Sequence, residues 1–367
     1  MKPEHRQHAA AIDLVSKAIS EWTTDLHFDR DPSMTERYGP DGRRLWAAEA
    51  RSRLQHLAEA LAADRSALFV QNALWSQAAF IAREIGDGDL RLSLACMRET
   101  VAAELPAPVA NRALVAIDEA IATLDATQGK PDVCLPPSCI APDQPNGQLA
   151  RVYLLHLLQR NQQEAANTIF EAAREGRSLP ELYETVIRPA LTEVGRMWHL
   201  QEASVADEHY CTAATQMIMA QLRSSMPRRP SNGHRMLAMA VGGELHDLGI
   251  RMVADLFEME GWEAEYLGAN MPASELPSIL VDEDGRLGFD LLALSGTTTL
   301  AVRPTADLID TIRAHPVASA VRVLVGGGPF RQVPDLWRIV GADGYAPDGA
   351  SALGVAADLV RAAPLRS

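Results

Sequence analysis

Apolar positions recur at helical spacing through the first third of the chain. Ala47, Ala50, Leu54, Leu57 and Leu61 fall on one helix face, and the runs over 67–85 and 90–103 keep the same period. Asp31-Pro32, Gly39-Pro40-Asp41-Gly42 and Gly86-Asp87-Gly88-Asp89 interrupt it, so 4–126 reads as a set of helices. Prolines and glycines then crowd 128–147, which cannot hold a helix and reads as a linker. Helical spacing resumes in 149–160, 163–175, 182–199 and 205–225. Ser178-Leu179-Pro180-Glu181 supplies an N-terminal cap and a first-turn carboxylate. Four amphipathic helices of this length predict a four-helix bundle.

After 235 the pattern changes to short β-rich runs separated by helices. Strands are predicted at 236–241, 263–267, 291–295, 321–325 and 344–346. Helices are predicted at 249–260, 273–281, 303–314, 334–340 and 350–363. This alternation predicts a doubly wound, flavodoxin-like parallel sheet. The expected organisation is an N-terminal all-helical domain over 1–127, a linker over 128–147, a bundle over 148–230 and an α/β, Rossmann-like domain over 234–367.

Composition narrows the function classes. Of 367 residues 47% are hydrophobic and 22% charged, as in ordinary globular proteins. A net charge of −14 argues against broad contact with phosphate backbones. Arg43, Arg44, Arg51 and Arg53 cluster, but Glu49 and Glu59 lie among or near them and no wing-like strand pair follows. They read as a solvated helix face, and direct nucleic-acid binding is not expected. Arg223, Arg228, Arg229 and Arg235 read as a solvated linker. Cys96, Cys134, Cys139 and Cys211 form no CxxC or zinc spacing and read as reduced thiols. No apolar run reaches the ~18 residues needed to span a membrane and no signal peptide stands out, so a cytoplasmic location is expected.

On parallel sheets, ligands bind outside the carboxyl ends of the strands. Three turns fall there: Gly242-Gly243 leading to His246, Ser295-Gly296-Thr297-Thr298-Thr299, and Gly326-Gly327-Gly328. Singly each is weak, since Gly-rich turns are mostly tight turns and Ser295 or Thr297 can simply cap a helix. His246 in Gly243-Glu244-Leu245-His246-Asp247-Leu248-Gly249 is placed to coordinate a metal, a role in which a carboxylate commonly fixes the imidazole tautomer.

Together the turns change the picture. Glu244-x-His246-x-x-Gly249, then 45 residues, Ser295-x-Thr297, then 28 residues, then Gly326-Gly327 closely resembles the signature of cobalamin-binding domains. The resemblance covers roughly 234–366. It implies His246 as the lower axial cobalt ligand, with Glu244 as its acceptor and Asp247 beside it. It also implies that Gly249 lets the cofactor's nucleotide tail approach the backbone, that Ser295 and Thr297 line the slot for that tail, and that Gly326 and Gly327 leave room for the displaced base. Position 244 is Glu where corrinoid enzymes usually carry Asp. In that respect, and in Gly195-Arg196-Met197-Trp198-His199 followed by Ser204-Val205-Ala206-Asp207-Glu208-His209-Tyr210, the chain resembles cobalamin-dependent photoreceptors. The likeness implies that Trp198 and Glu208 face the upper axial ligand and that His209 takes the upper cobalt position once that ligand is lost. His199 is expected at the surface.

The N-terminal block carries Trp22, His27, Tyr38, Trp46, His56, Phe69, Trp75 and Phe80, read mainly as core, with a flat chromophore or a partner subunit as the other use of such a set. The layout resembles, more loosely, photocobilins, which pair cobalamin with a bilin such as biliverdin. The leading expectation is therefore a light sensor using adenosylcobalamin, not an enzyme by itself, forming a homo-oligomer or engaging a signalling partner. The alternative is a corrinoid methyl carrier of a methyltransferase system, and a third reading is a cobalamin scaffold without photochemistry.

Overall fold

A computed structural model describes residues 1–127, 130, 135–141 and 143–361. Cys134 and parts of the expected linker lie outside them. The chain divides into two compact units, Met1–Pro136 and Pro137–Ser367.

The first unit is helical: α1 (Pro3–Arg30), α2 (Met34–Tyr38), α3 (Gly42–Ala63), α4 (Ala67–Ala82), α5 (Asp87–Glu104) and α6 (Ala107–Thr127). The face of α3 predicted from its spacing is its buried face, with Ala50, Leu54, Leu57 and Leu61 in the core. Burying each such leucine contributes about 1.5–3 kcal/mol. Two expectations are corrected here. Arg53 is 2% exposed rather than solvated, and its Nη1 donates to Ser93 at 3.0 Å while Trp46 and Phe80 flank the guanidinium. Trp22 and Trp75 are about half exposed rather than core, at 51% and 52%.

The second unit begins with a bundle: α7 (Gly147–Leu158), α8 (Gln162–Arg174), α9 (Leu179–Leu182), a π turn (Tyr183–Ile187), α10 (Arg188–His199) and α11 (Val205–Ser225). Ser178 caps α9 by accepting from the Glu181 N–H. The single helix expected over 182–199 is interrupted by the π turn. Pro189, in the first turn of α10, has no N–H to return to a carbonyl four residues back, and the helix widens ahead of it. His199 is buried at 4%, against the surface position expected.

The α/β part follows as β1 (Arg235–Ala240), α12 (Leu248–Met259), β2 (Glu263–Tyr266), α13 (Leu276–Leu280), β3 (Leu291–Ser295), α14 (Val302–Ala314), β4 (Arg322–Gly326), α15 (Gly328–Gln332), α16 (Leu336–Val340), β5 (Gly344–Tyr345) and α17 (Gly349–Arg361). The five strands are parallel in the order β2-β1-β3-β4-β5. A helical N-terminal region, a helical cap and a doubly wound sheet are the fold class that the periodicity predicts. Met236 through Ala240 is continuously buried, as a central strand covered on both faces requires.

Helix α12 joins the cap to the sheet. Its Leu248, Met252 and Leu256 belong to the bundle core, while Ile250, Ala254 and Phe257 belong to the sheet core. Among the described residues no helix is long and apolar enough to cross a membrane.

Candidate cofactor site

Strand order reverses between β1 and β3, so the loops after these two strands part and open a crevice at their carboxyl ends. Ala240, Ser295 and Gly326 stand in register across β1, β3 and β4, which brings the three predicted turns to one edge. The β1 loop is held by a turn from Val241 to Glu244 and by Gly243 in the left-handed region, at φ +80°. Asn270 braces it from both sides. Its side-chain oxygen accepts from the Gly243 N–H at 2.7 Å, and its own N–H donates to the Glu244 carbonyl at 3.0 Å.

Glu244 is the centre of the site. Its carboxylate is 4% exposed, and one oxygen meets both the Nδ1 of His246, at 2.5 Å, and the His246 backbone N–H, at 3.0 Å. The other accepts from the N–H of Thr297 at 2.6 Å and of Thr298 at 3.3 Å. Burial alone would raise its pKa, but these hydrogen bonds to its charged form outweigh that and hold it below the usual carboxylate range. The hydrogen bond to Glu244 raises the pKa of His246 despite partial burial, and the charges of Glu208 and Asp247 add to it. With Nδ1 occupied and the side chain 64% exposed, Nε2 is the nitrogen left for a ligand.

Asp247 precedes α12, and its carboxylate accepts from the Tyr266 hydroxyl at 2.6 Å. Gly249, in the first turn of α12, is exposed, and a Cβ built there meets nothing within 4 Å. Ser295 is half-buried and Thr297 exposed. Gly326 and Gly327 were expected to leave room for a displaced base, and the backbone adds a nearer constraint. A Cβ on Gly327, at φ +107°, would lie 2.0 Å from the Gly296 carbonyl oxygen, and one on Gly326 would lie 3.1 Å from that of Ala346. Gly327 thus lets the β4 loop pack backbone to backbone on the β3 loop, and Gly326 lets the end of β4 approach the residue after β5.

Of the expected cap residues, Glu208 and His209 stand at the start of α11, where Ser204 and Asp207 form a reciprocal capping box, and Trp198 lies near the end of α10. Glu208 holds the His209 Nδ1 at 2.7 Å with one oxygen and accepts from the Thr212 hydroxyl with the other. Its influence on His246 relates this helix start to the lower loop. Trp198 is 37% exposed and the His209 side chain 75% exposed. Direct hydrogen bonds thus join Glu244, His246 and Thr297, while Glu208 acts on His246 through charge. Asn270 and Tyr266 were not anticipated. A left-handed Asn after Gly268-Ala269 is the one local signal for the first, and Tyr266 matters only because β2 lies beside β1.

Among the described residues no group of three or more His, Cys, Asp or Glu could hold a bare ion. One exposed imidazole with its far nitrogen locked suits a metal that arrives with its other ligands, and the open space at Gly249 suits a tail running past the start of α12. The residues fit a corrinoid.

Residues 235–354 match the model of the B12 binding domain, and residues 150–223 match a second B12 binding domain model. Dimethylamine corrinoid protein 2 of Methanosarcina acetivorans is 24% identical over 195 residues, covering 52% of this chain and 86% of that one. A corrinoid protein of Desulfitobacterium hafniense is 26% identical over 182 residues, covering 48% and 81%. The structure of the Methanosarcina barkeri monomethylamine corrinoid protein aligns with a TM-score of 0.52 at 18% identity, over 59% of this chain and all of that one, a likeness of fold. These relatives carry the names of corrinoid proteins, not of light sensors. The light-sensor expectation is corrected on that ground, and the relatives favour the alternative of a corrinoid carrier. The chain is a cobalamin-binding-domain protein resembling the corrinoid proteins.

Proposed function

We propose that this protein is the corrinoid subunit of a methyltransferase system and carries a methyl group between partner enzymes. The observation that carries the reading is the exposed His246 imidazole locked through Nδ1 by the buried Glu244. A bound corrinoid supplies a cobalt centre able to take up and give away a methyl group.

In this reading His246 would hold the cobalt through Nε2. Glu244 keeps the tautomer and ties the ligand loop to the β3 loop. Gly249, Ser295, Thr297, Gly326 and Gly327 border the slot for the nucleotide tail. Trp198, Glu208 and His209 would shield the bound corrinoid from water on the cap side. The adenosyl form and biliverdin belonged to the light-sensor expectation and are not carried forward. The names of the dimethylamine corrinoid proteins support the carrier reading.

The test loads the full chain with hydroxocobalamin in the dark, reduces it anaerobically with titanium(III) citrate and adds isotopically labelled iodomethane. Label retained by the desalted wild type in proportion to bound corrinoid, and lost with the corrinoid in His246→Ala, supports the proposal. A chain that takes up no corrinoid, or one that binds it and retains no label, overturns it.

A further inference from the structure

Helix α1 has two apolar faces, and the first unit uses one of them. Ile12, Ser16, Ile19, Thr23 and His27 are buried against the unit's interior. On the opposite face Ala11, Leu14, Ala18 and Trp22 follow at steps of three and four, one continuous stripe. Leu14 is 86% exposed and Trp22 51% exposed, in a helix of 28 residues. Isolated exposed apolar residues are ordinary, but a stripe with a nearly bare leucine and a half-bare tryptophan two turns away marks a contact surface.

We propose that this face is a homodimer interface, in which α1 pairs antiparallel with α1 of a second copy about a twofold axis at Ala18. The stripe is complementary to itself in size. Leu14 lies four residues before Ala18 and Trp22 four after, so the twofold sets each leucine against the other copy's tryptophan. Ala18 at the crossing point allows the helix axes to approach to about 8–10 Å.

It is complementary in charge as well. Lys17 and Glu21 are exposed along the same edge of the stripe, and neither has an ion-pair partner within the chain among the described residues. The same axis brings Lys17 to within about 3 Å, measured along the helix, of Glu21 in the other copy and equally near that copy's Lys17, so two unlike pairs flank one like pair, at a rise of about 1.5 Å per residue. Two equivalent ion pairs then close one edge of the contact. A stripe with both charges in this order selects its own copy over a partner of uniform charge.

The experiment is sedimentation equilibrium of the full chain. Wild type is expected as a dimer at micromolar concentration. Leu14→Asp, at a position too exposed to affect folding, is expected to weaken the dimer at least about tenfold, with circular dichroism and corrinoid uptake unchanged. Lys17→Glu and Glu21→Lys are each expected to weaken it, and the doubly exchanged chain to recover it. A monomeric wild type, a dimer indifferent to Leu14→Asp, or a double exchange no tighter than the single ones overturns the proposal.

Discussion

The Tyr183 hydroxyl donates to the Asp255 carboxylate at 2.7 Å, so the π turn of the cap is bonded to the helix that starts two residues after His246. Both side chains are buried. Arg223, in the last turn of α11, adds a contact of 3.6 Å to Asp255 and pairs with Glu258, as does Arg228. Burial raises the pKa of Asp255, and Tyr183 and Arg223 offset that only in part. Two ends of the cap are therefore fastened to one helix, and that helix carries the ligand loop.

Removing the phenol oxygen isolates this link. Tyr183→Phe keeps the ring in the bundle core and leaves the Asp255 oxygen without its buried donor, at a cost of about 1–3 kcal/mol. The expected outcome is a lower urea midpoint with corrinoid affinity within a few fold of wild type. An unchanged midpoint would show that the hydrogen bond adds nothing net and that apolar packing and the Arg223 and Arg228 pairs hold the cap on α12.

Glu244 spans from His246 to the Thr297 and Thr298 N–H groups, a span its length makes available. Glu244→Asp, one methylene shorter, is expected to keep one of these partners at the expense of the other. Glu244→Gln keeps the length but sets an amide N–H against a backbone donor or the imidazole. Loss of such an outer partner typically costs about 10–100-fold in metal affinity. Titration of apo-protein with hydroxocobalamin should find both variants weaker than wild type and His246→Ala weaker still. Equal affinity for wild type and Glu244→Gln would mean that the carboxylate does not orient the ligand.

The turns of this candidate site are legible in the chain because strand ends are written in small residues: Ser295 and Gly326 end β3 and β4, and Gly249 stands in the first turn of the helix that follows β1. Glu244 and His246 are close enough in sequence for their pairing to be read directly. Contacts formed by distant segments are not. Asn270 reaches the ligand loop because β2 lies beside β1, and Gly327 is required by the Gly296 carbonyl rather than by anything near it in the chain. Arg53 misled for the same reason. In a row of charges at helical spacing it looks solvated, yet Ser93, forty residues on, receives it in the core. The π turn had only Pro189 to announce it, and a proline in a first turn is also an ordinary helix start.

The first unit should be acid-sensitive through His27. Both ring nitrogens are buried without a hydrogen-bond partner among the described residues, and burial pushes its pKa down to about 4, with the charges of Asp89, Arg53, Asp31 and Arg37 as smaller and opposing influences. The unfolded chain takes up a proton near the ordinary value of about 6.5, while the folded chain refuses it until about 4. The stability His27 leaves intact above that ordinary value is lost as pH falls through it and levels off near 4, about 3 kcal/mol in all. The check compares urea unfolding of wild type and His27→Leu at several pH values, so that the carboxylates common to both cancel. The gap between the two chains should change by up to about 1.4 kcal/mol per pH unit between 6.5 and 4. A constant gap would mean that the folded imidazole takes up its proton as readily as the unfolded one.

Gly249 and Gly327 belong to the same proposed slot, yet alanine at each should fail in a different way. At Gly327 a Cβ would sit 2.0 Å from a backbone carbonyl oxygen, with φ at +107°, where an L side chain is strained regardless of space. Neither the Gly296 carbonyl nor the strand behind it can give way cheaply. Gly327→Ala is therefore expected to destabilise the second unit by several kcal/mol with or without corrinoid, on the order of 3 or more. At Gly249 the added methyl meets nothing within 4 Å, in the first turn of a helix where alanine is the better former, so the apo-protein should be as stable as wild type or slightly more so. The methyl would instead occupy the space proposed for the nucleotide tail, and corrinoid affinity should fall by about tenfold or more, the penalty of overpacking a close contact. Thermal melts of apo- and loaded protein separate the two: Gly327→Ala lowers both, whereas Gly249→Ala lowers only the increment that hydroxocobalamin adds. A Gly249→Ala chain stabilised by hydroxocobalamin as much as wild type would mean that no tail runs past the start of α12.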